Sequence, residues 1–180
     1  LPRPARAGLR NVLSNLSEPV VFVNYLLQLK PGKAAETLGR FAINSSIGLA
    51  GLVDVAKDKP FNLPYRPNGF GYTLGYYGVK PEPYLYLPLI GPTTVRDLAG
   101  RLLDLSLVPA AAGAPFNSPY YGLGSGALRS LDERIAFDER LRVLRYECSD
   151  PYTATRQYYL AERTAQIEAL HGRSYDLAAN

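Results

Sequence analysis

Between residues 60 and 92, glycine and proline recur too closely for a regular helix to persist. Tyr65, Tyr72, Tyr76, Tyr77, Tyr84 and Tyr86 fall in the same stretch. The segment is expected to be ordered but irregular, with room for single-turn helices. Long connections of this kind either carry function or wrap a core. Regular architecture must therefore come from the two flanks, and both read as helical.

Upstream, Leu9, Val12, Leu13 and Leu16 recur at three- and four-residue spacing and predict a short amphipathic helix over residues 4–16. Ser17-Glu18-Pro19 then resets the chain, with Ser17 as an N-cap and Pro19 in a first turn, where a missing N–H costs little. A strongly apolar helix follows to residue 29, closed by Lys30-Pro31-Gly32. Its Val20, Val21, Phe22, Val23, Leu26 and Leu27 cover most of the circumference, so it is either buried all round or in contact with lipid. Residues 33–56 keep the helical pattern but are rich in small residues: Gly39, Ala42, Ser45, Ser46, Gly48, Ala50 and Gly51. Such residues let helices approach closely, in lipid or in a tight soluble bundle.

Downstream, Val95, Leu98, Leu102 and Leu105 mark a helix over residues 94–107, and Thr94 with Asp97 is spaced as a capping box. Residues 109–126 read as a flexible, Gly/Pro-rich hairpin or loop between helices. Residues 128–147 are periodic and highly charged, a solvated face with local ion pairs. Ser149-Asp150-Pro151 opens a last helix to residue 170, and residues 172–180 read as a frayed tail. No repeat or strong strand alternation is visible. The expected class is mainly α, one domain over residues 1–180 of short amphipathic helices with long irregular Gly/Pro/Tyr-rich connections.

Composition narrows the function classes. A length of 180 residues suffices for one domain with a core, and 47% apolar residues exclude wholesale disorder. The net charge of +4 is spread along the chain, with no basic arm for nucleic acid. With 14 Tyr and no Trp, the aromatics suit either an amphipathic surface or a packed aromatic core. Cys148 stands alone, which excludes an intramolecular disulfide, and the single His171 argues against a histidine metal site or a Ser-His-Asp triad. No run of about 18 uncharged apolar residues appears, so entry into a membrane would be through one leaflet or a bundle of short helices. The start at Leu1, without a leader, reads as a mature or trimmed chain.

Little points to chemistry. Gly69-Phe70-Gly71-Tyr72-Thr73-Leu74-Gly75 has the wrong spacing for a nucleotide-binding loop, and Gly122-Leu123-Gly124-Ser125-Gly126 reads as loop flexibility. The acidic pairs Asp132/Glu133 and Asp138/Glu139 sit among arginines, where ion pairing accounts for them. No nucleophile, base and orienting group come together. The chain is not expected to be an enzyme, and no cofactor or metal is expected.

Four ordered blocks carry a resemblance. They are Asn15-Leu16-Ser17-Glu18-Pro19 with Val23-Asn24-Tyr25-Leu26-Leu27-Gln28; the run from Arg40 through Asn44, Gly48, Gly51 and Asp54 to Ala56; Phe70 through Gly78 and Val79 with Pro83 through Pro92 and Arg96-Asp97; and Ser149-Asp150-Pro151-Tyr152. Together they span nearly all of the chain and resemble the VacJ/MlaA family of outer-membrane lipoproteins. The resemblance implies a mostly helical ring in the periplasm-facing leaflet, with an amphipathic channel and association with a trimeric porin. Mislocalised phospholipids would pass from the outer leaflet to a periplasmic lipid carrier, preserving outer-membrane lipid asymmetry, with no chemistry done on the lipid. It offers Asn24, Asn44, Phe70, Thr73, Tyr77, Tyr84, Arg96 and Asp97 as lipid or channel candidates. The 109–126 segment, with Pro109, Gly113, Pro115, Pro119 and Gly122, is a candidate gating hairpin. Two departures stand out. The lipobox cysteine is missing, since Cys148 is internal, and the family's segment before Asn11 is mostly absent. A peripheral protein-interaction scaffold is the rival reading, and a lipid-cleaving enzyme a distant third.

Overall fold

The computed structural model describes residues 3–88, 90–112 and 150–175. Among them lie α1 (Arg3–Leu27), α2 (Pro31–Ser46), a 3-10 turn (Val55–Lys57), α3 (Phe70–Tyr76), β1 (Tyr84–Leu87), β2 (Gly91–Thr94), α4 (Val95–Ala112) and α5 (Pro151–Leu170). The expectation of a mainly α chain holds. The described residues form two compact units: 3–69 with 104–112, and 70–103 with 150–175.

In the first unit, the two helices expected on either side of Ser17-Glu18-Pro19 are one. α1 runs unbroken through Pro19. Proline inside a helix removes one hydrogen bond and costs about 3 kcal/mol or more. Long packing of α1 against α2 offsets this, burying Val20, Val21 and Tyr25. Ser17 caps nothing; its hydroxyl donates back to the Leu13 carbonyl at 2.6 Å, as serines within helices do. α1 ends with Leu29 in the left-handed region (φ 56°), where Leu29 N–H donates to Leu26 O and Lys30 N–H to Tyr25 O. That is a Schellman cap with leucine in the place glycine usually takes. Pro31 then opens α2.

α2 stops at Ser46 rather than running on to residue 56. Leu49, Ala50 and Gly51 adopt φ of 52°, 57° and 91°, and the chain folds back so that Gly51 N–H donates to Asn44 O and Val53 N–H to Gly48 O. A Cβ on Gly48 would run into the carbonyls of Val53 and Asn44. Part of the small-residue stripe therefore builds a tight turn instead of a helix seam.

In the second unit, the irregular stretch contains α3 and an antiparallel hairpin, in register from Tyr84↔Thr94 to Leu87↔Gly91. Four-residue strands are too short to announce themselves by alternation. α4 starts where expected, with the Thr94 hydroxyl accepting from Asp97 N–H at 3.2 Å. It continues to Ala112, so Pro109 lies within a helix and not in a hairpin. The remainder of the proposed hairpin, with Gly113, Pro115, Pro119 and Gly122, lies outside the described residues, as do the charged stretch 128–147 and the end of the tail. α5 spans the expected residues, capped by Asp150 through Tyr152 and Thr153 N–H.

Candidate functional site

Each unit is polar inside, and apolar side chains lie exposed on both. Among the described residues six apolar side chains are buried against fourteen polar or charged ones, while seventeen large apolar side chains lie exposed. A water-facing globule has the opposite arrangement. No helix among the described residues is long and apolar enough to cross a membrane.

The inversion follows from helical spacing. On α2, Thr37, Arg40 and Asn44 recur every three or four residues and are buried, whereas Leu38 on the same helix is exposed. On α1, Glu18, Val21 and Tyr25 point inward, as does Gln28 just past its end, while Leu26 and Leu27 are exposed. The turn after α2 is more extreme: Ile47, Leu49 (70% exposed), Leu52 and Val53 are all uncovered, as is Phe61. Uncovered apolar patches of this kind mark a membrane or partner surface.

At the centre of the first unit, Arg40 is shared by two acids. Its Nε donates to Glu18 Oε1, its Nη2 pairs with Asp54 Oδ1 at 2.9 Å, and its Nη1 donates to the Leu63 carbonyl. Tyr65 lies with its ring 5.5 Å from the guanidinium. Asn44 fixes Asp54 from the other side: its Nδ2 donates to Asp54 Oδ1 at 2.9 Å and its Oδ1 accepts from Ala56 N–H at 3.0 Å. One guanidinium against two carboxylates leaves a surplus negative charge. Burial, with Asp54 adding to it, pushes the Glu18 carboxyl above its ordinary value despite Arg40, and Arg40 is held firmly protonated by its two acids. Nearby, Asn24 Nδ2 donates to Val20 O at 2.9 Å and to Asp104 at 3.2 Å, and the amides of Gln28 and Asn68 bond reciprocally at 2.9 and 3.0 Å.

The second unit has the opposite balance. Asp97 receives Arg96 Nε and Nη2 at Oδ1 (both 3.0 Å), and at Oδ2 the Tyr159 hydroxyl at 2.7 Å and Arg163 Nε at 3.2 Å. Burial alone would raise the Asp97 carboxyl; Arg163, Tyr159 and Arg96 outweigh it and hold it below the usual carboxylate range. Burial also pushes the Tyr159 phenol up to about 12. The helices that carry these groups meet at glycines: a Cβ on Gly100 of α4 would collide with the α3 backbone at Gly71. Around Tyr159, the rings of Tyr84 and Tyr152 pack edge to face, and the Tyr84 hydroxyl is buried without a hydrogen-bond partner among the described residues.

Of the eight candidates read from sequence, Asn24 and Asn44 lie in the first interior, and Thr73, Arg96 and Asp97 are buried in the second. Phe70 and Tyr84 are half-buried in the second unit, and Tyr77 is exposed. The sequence reading missed Glu18, Arg40 and Asp54 as a unit, although all three sit in the quoted motifs. Tyr159 and Arg163 carried no signal, being one tyrosine and one arginine among several along α5.

A family model described as MlaA lipoprotein matches residues 1–166. The chain is 37% identical over 160 residues to the intermembrane phospholipid transport system lipoprotein MlaA of Shigella flexneri, and 36% identical to that of Escherichia coli (strain K12). These alignments take in 88% of this chain and 62% of each relative, so the chain spans under two thirds of their length. Among solved structures it superimposes, with a TM-score of 0.76 and 32% identity, on a chain described under "Structural basis for maintenance of bacterial outer membrane lipid asymmetry", covering 93% of this chain and 82% of that one. On the family match and these relatives, the chain belongs to the MlaA lipoprotein family.

Proposed function

We propose that this chain is the body of an outer-membrane protein that moves phospholipids without altering them. It takes mislocalised phospholipids from the outer leaflet through an amphipathic channel and passes them to a periplasmic carrier, maintaining lipid asymmetry. The observation that carries this reading is the inversion, with buried Glu18, Arg40, Asn44, Arg96 and Asp97 beneath exposed Leu26, Leu38, Leu49 and Leu102. A phospholipid needs both environments, polar groups for its head and apolar ones for its tails. The relatives' names, which speak of intermembrane phospholipid transport, support the same assignment.

Several finer points belong to the proposal. The protein sits in the periplasm-facing leaflet, held in the full-length form by a lipid anchor and partnered by a trimeric porin. Residues 1–180 act as one domain. Asn24, Asn44, Phe70, Thr73, Tyr77, Tyr84, Arg96 and Asp97 line or shape the lipid path, and residues 109–126 gate it. No catalytic step is involved. The test is to delete the gene and titrate surface-exposed phospholipid with an externally added phospholipase. Surface phospholipid should rise in the deletion and return to the parental level on complementation. An unchanged surface in the deletion would sink the reading, and a purified protein that stays lipid-free without detergent would favour the scaffold.

A further inference from the structure

We infer that Arg163 forms a binding subsite for a phosphate group, here the headgroup phosphate of a phospholipid; the choice of lipid rests on the reading above. In the second unit two guanidiniums share one carboxylate, which leaves one positive charge unbalanced within the Arg96–Asp97–Arg163 cluster. The two arginines are not equivalent. Arg96 is used up: Nε and Nη2 both bond Asp97, Nη1 donates to the Val79 carbonyl at 3.1 Å, and its side chain is almost fully buried. Arg163 is not. Its Nε faces Asp97 and the Tyr159 hydroxyl, and its Nη1 donates to Gln166 Oε1 at 3.1 Å. Its Nη2 reaches no acceptor among the described residues, and 16% of the side chain remains exposed.

The direction of that spare edge is fixed. The Tyr72 ring lies 4.5 Å from the guanidinium carbon and the Tyr159 ring 5.5 Å from it, and these faces with the Asp97 contact set the plane of the group. Nη2 together with the second Nη1 hydrogen makes a planar donor pair, held rigid, largely out of water and with surplus positive charge, that matches two oxygens of a tetrahedral oxyanion. A buried charge without a full complement of partners is costly, and an arriving anion relieves that cost. A lysine could supply the charge but not the fork.

The test uses the full-length protein in mild detergent, titrated by native mass spectrometry. Three probes are used: palmitoyl-oleoyl phosphatidylglycerol, the diacylglycerol with the same chains, and inorganic phosphate. The wild-type protein should prefer the phosphatidylglycerol. Arg163→Gln should lose about tenfold of that affinity, about 1.4 kcal/mol, with diacylglycerol binding unchanged. Arg163→Lys should recover only part, and Arg173→Gln, on an exposed turn, should lose nothing. Inorganic phosphate should compete with phosphatidylglycerol in the wild type and not in Arg163→Gln. A wild type that binds both lipids alike and shows no Arg163-dependent phosphate binding, or an Arg163→Gln that keeps the preference, overturns the subsite while leaving phospholipid handling intact. A wild type that binds neither lipid overturns both. Phosphate binding that needs Arg163 without any preference between the lipids overturns the lipid assignment in favour of free phosphate. Should Arg163→Gln fail to fold by circular dichroism, the wild-type preference and its partial loss in Arg163→Lys decide.

Discussion

Replacing Arg40 with leucine removes the single cation that serves two buried acids. Its side chain is 4% exposed, and those of Glu18 and Asp54 are 2% and 13% exposed. Removing one partner of a buried ion pair costs about 3–5 kcal/mol. The lost bond to the Leu63 carbonyl and the Tyr65 contact add to this, while proton uptake by Glu18 and hydration of the less buried Asp54 subtract from it. We expect a net loss of about 4 kcal/mol for Arg40→Leu, taken at the upper middle of that range. Glu18→Gln should behave differently. The amide oxygen still accepts from Arg40 Nε, and the surplus negative charge is gone, so the change should stay within about 1 kcal/mol. The assay is denaturant unfolding in mild detergent at neutral pH, followed by helical circular dichroism, with the midpoint shift converted through a common slope. Glu18→Gln costing as much as Arg40→Leu would refute the surplus-charge reasoning. The pH dependence checks the same point. Because folding raises the Glu18 pKa above 4.5, its contribution is fully present below that value and is lost as pH rises through the folded value. Glu18→Gln should flatten that decline. Asp97 works the other way: its pKa is held below 3.8, so its contribution is present above that value and lost as pH falls through the folded one.

Tyr159→Phe should cost about 1–3 kcal/mol, because it leaves Asp97 without its 2.7 Å donor. Tyr84→Phe removes a hydroxyl that bonds nothing among the described residues, and should be neutral or slightly stabilising in the same unfolding assay. Gly100→Ala should destabilise by about 1–3 kcal/mol or prevent folding, since the added methyl meets the Gly71 backbone. Leu49→Gly separates fold from membrane. It relieves a left-handed leucine, so stability should rise by up to about 1 kcal/mol. It also removes an exposed apolar side chain, so liposome flotation should weaken by about 1.5–3 kcal/mol of binding.

Helix class and the α5 boundaries were legible because periodicity and the Asp150-Pro151 start are local signals. The unbroken α1 was not. Whether Pro19 ends a helix depends on what the next turns pack against, and α2 lies farther along the chain. The end of α2 was also hidden, because Gly48 and Gly51 read equally well as helix-packing residues or as turn residues until the φ angles are known. The motifs named Asn44, Arg96 and Asp97 one by one. Pairing Glu18 with Arg40, or Asp97 with Tyr159, required contacts across 22 and 62 residues that no single sequence displays, and Arg163 lies farther still along the chain. The inward polar stripe was in principle readable: Thr37, Arg40 and Asn44 share one face of α2. Reading it as interior meant giving up the rule that polar faces point to water.

Whether the exposed leucines face lipid can be measured directly. Nitroxide labels are placed one at a time at Leu26, Leu38 and Leu49 of the full-length protein in liposomes, with Arg173 as an exposed reference. Collision with oxygen and with a water-soluble nickel chelate is then compared at each site. The three leucine positions should collide readily with oxygen and poorly with the chelate, as lipid-facing sites do, with Arg173 the reverse. Chelate collisions at Leu26, Leu38 and Leu49 as frequent as at Arg173 would put the apolar surface in water and contradict the account.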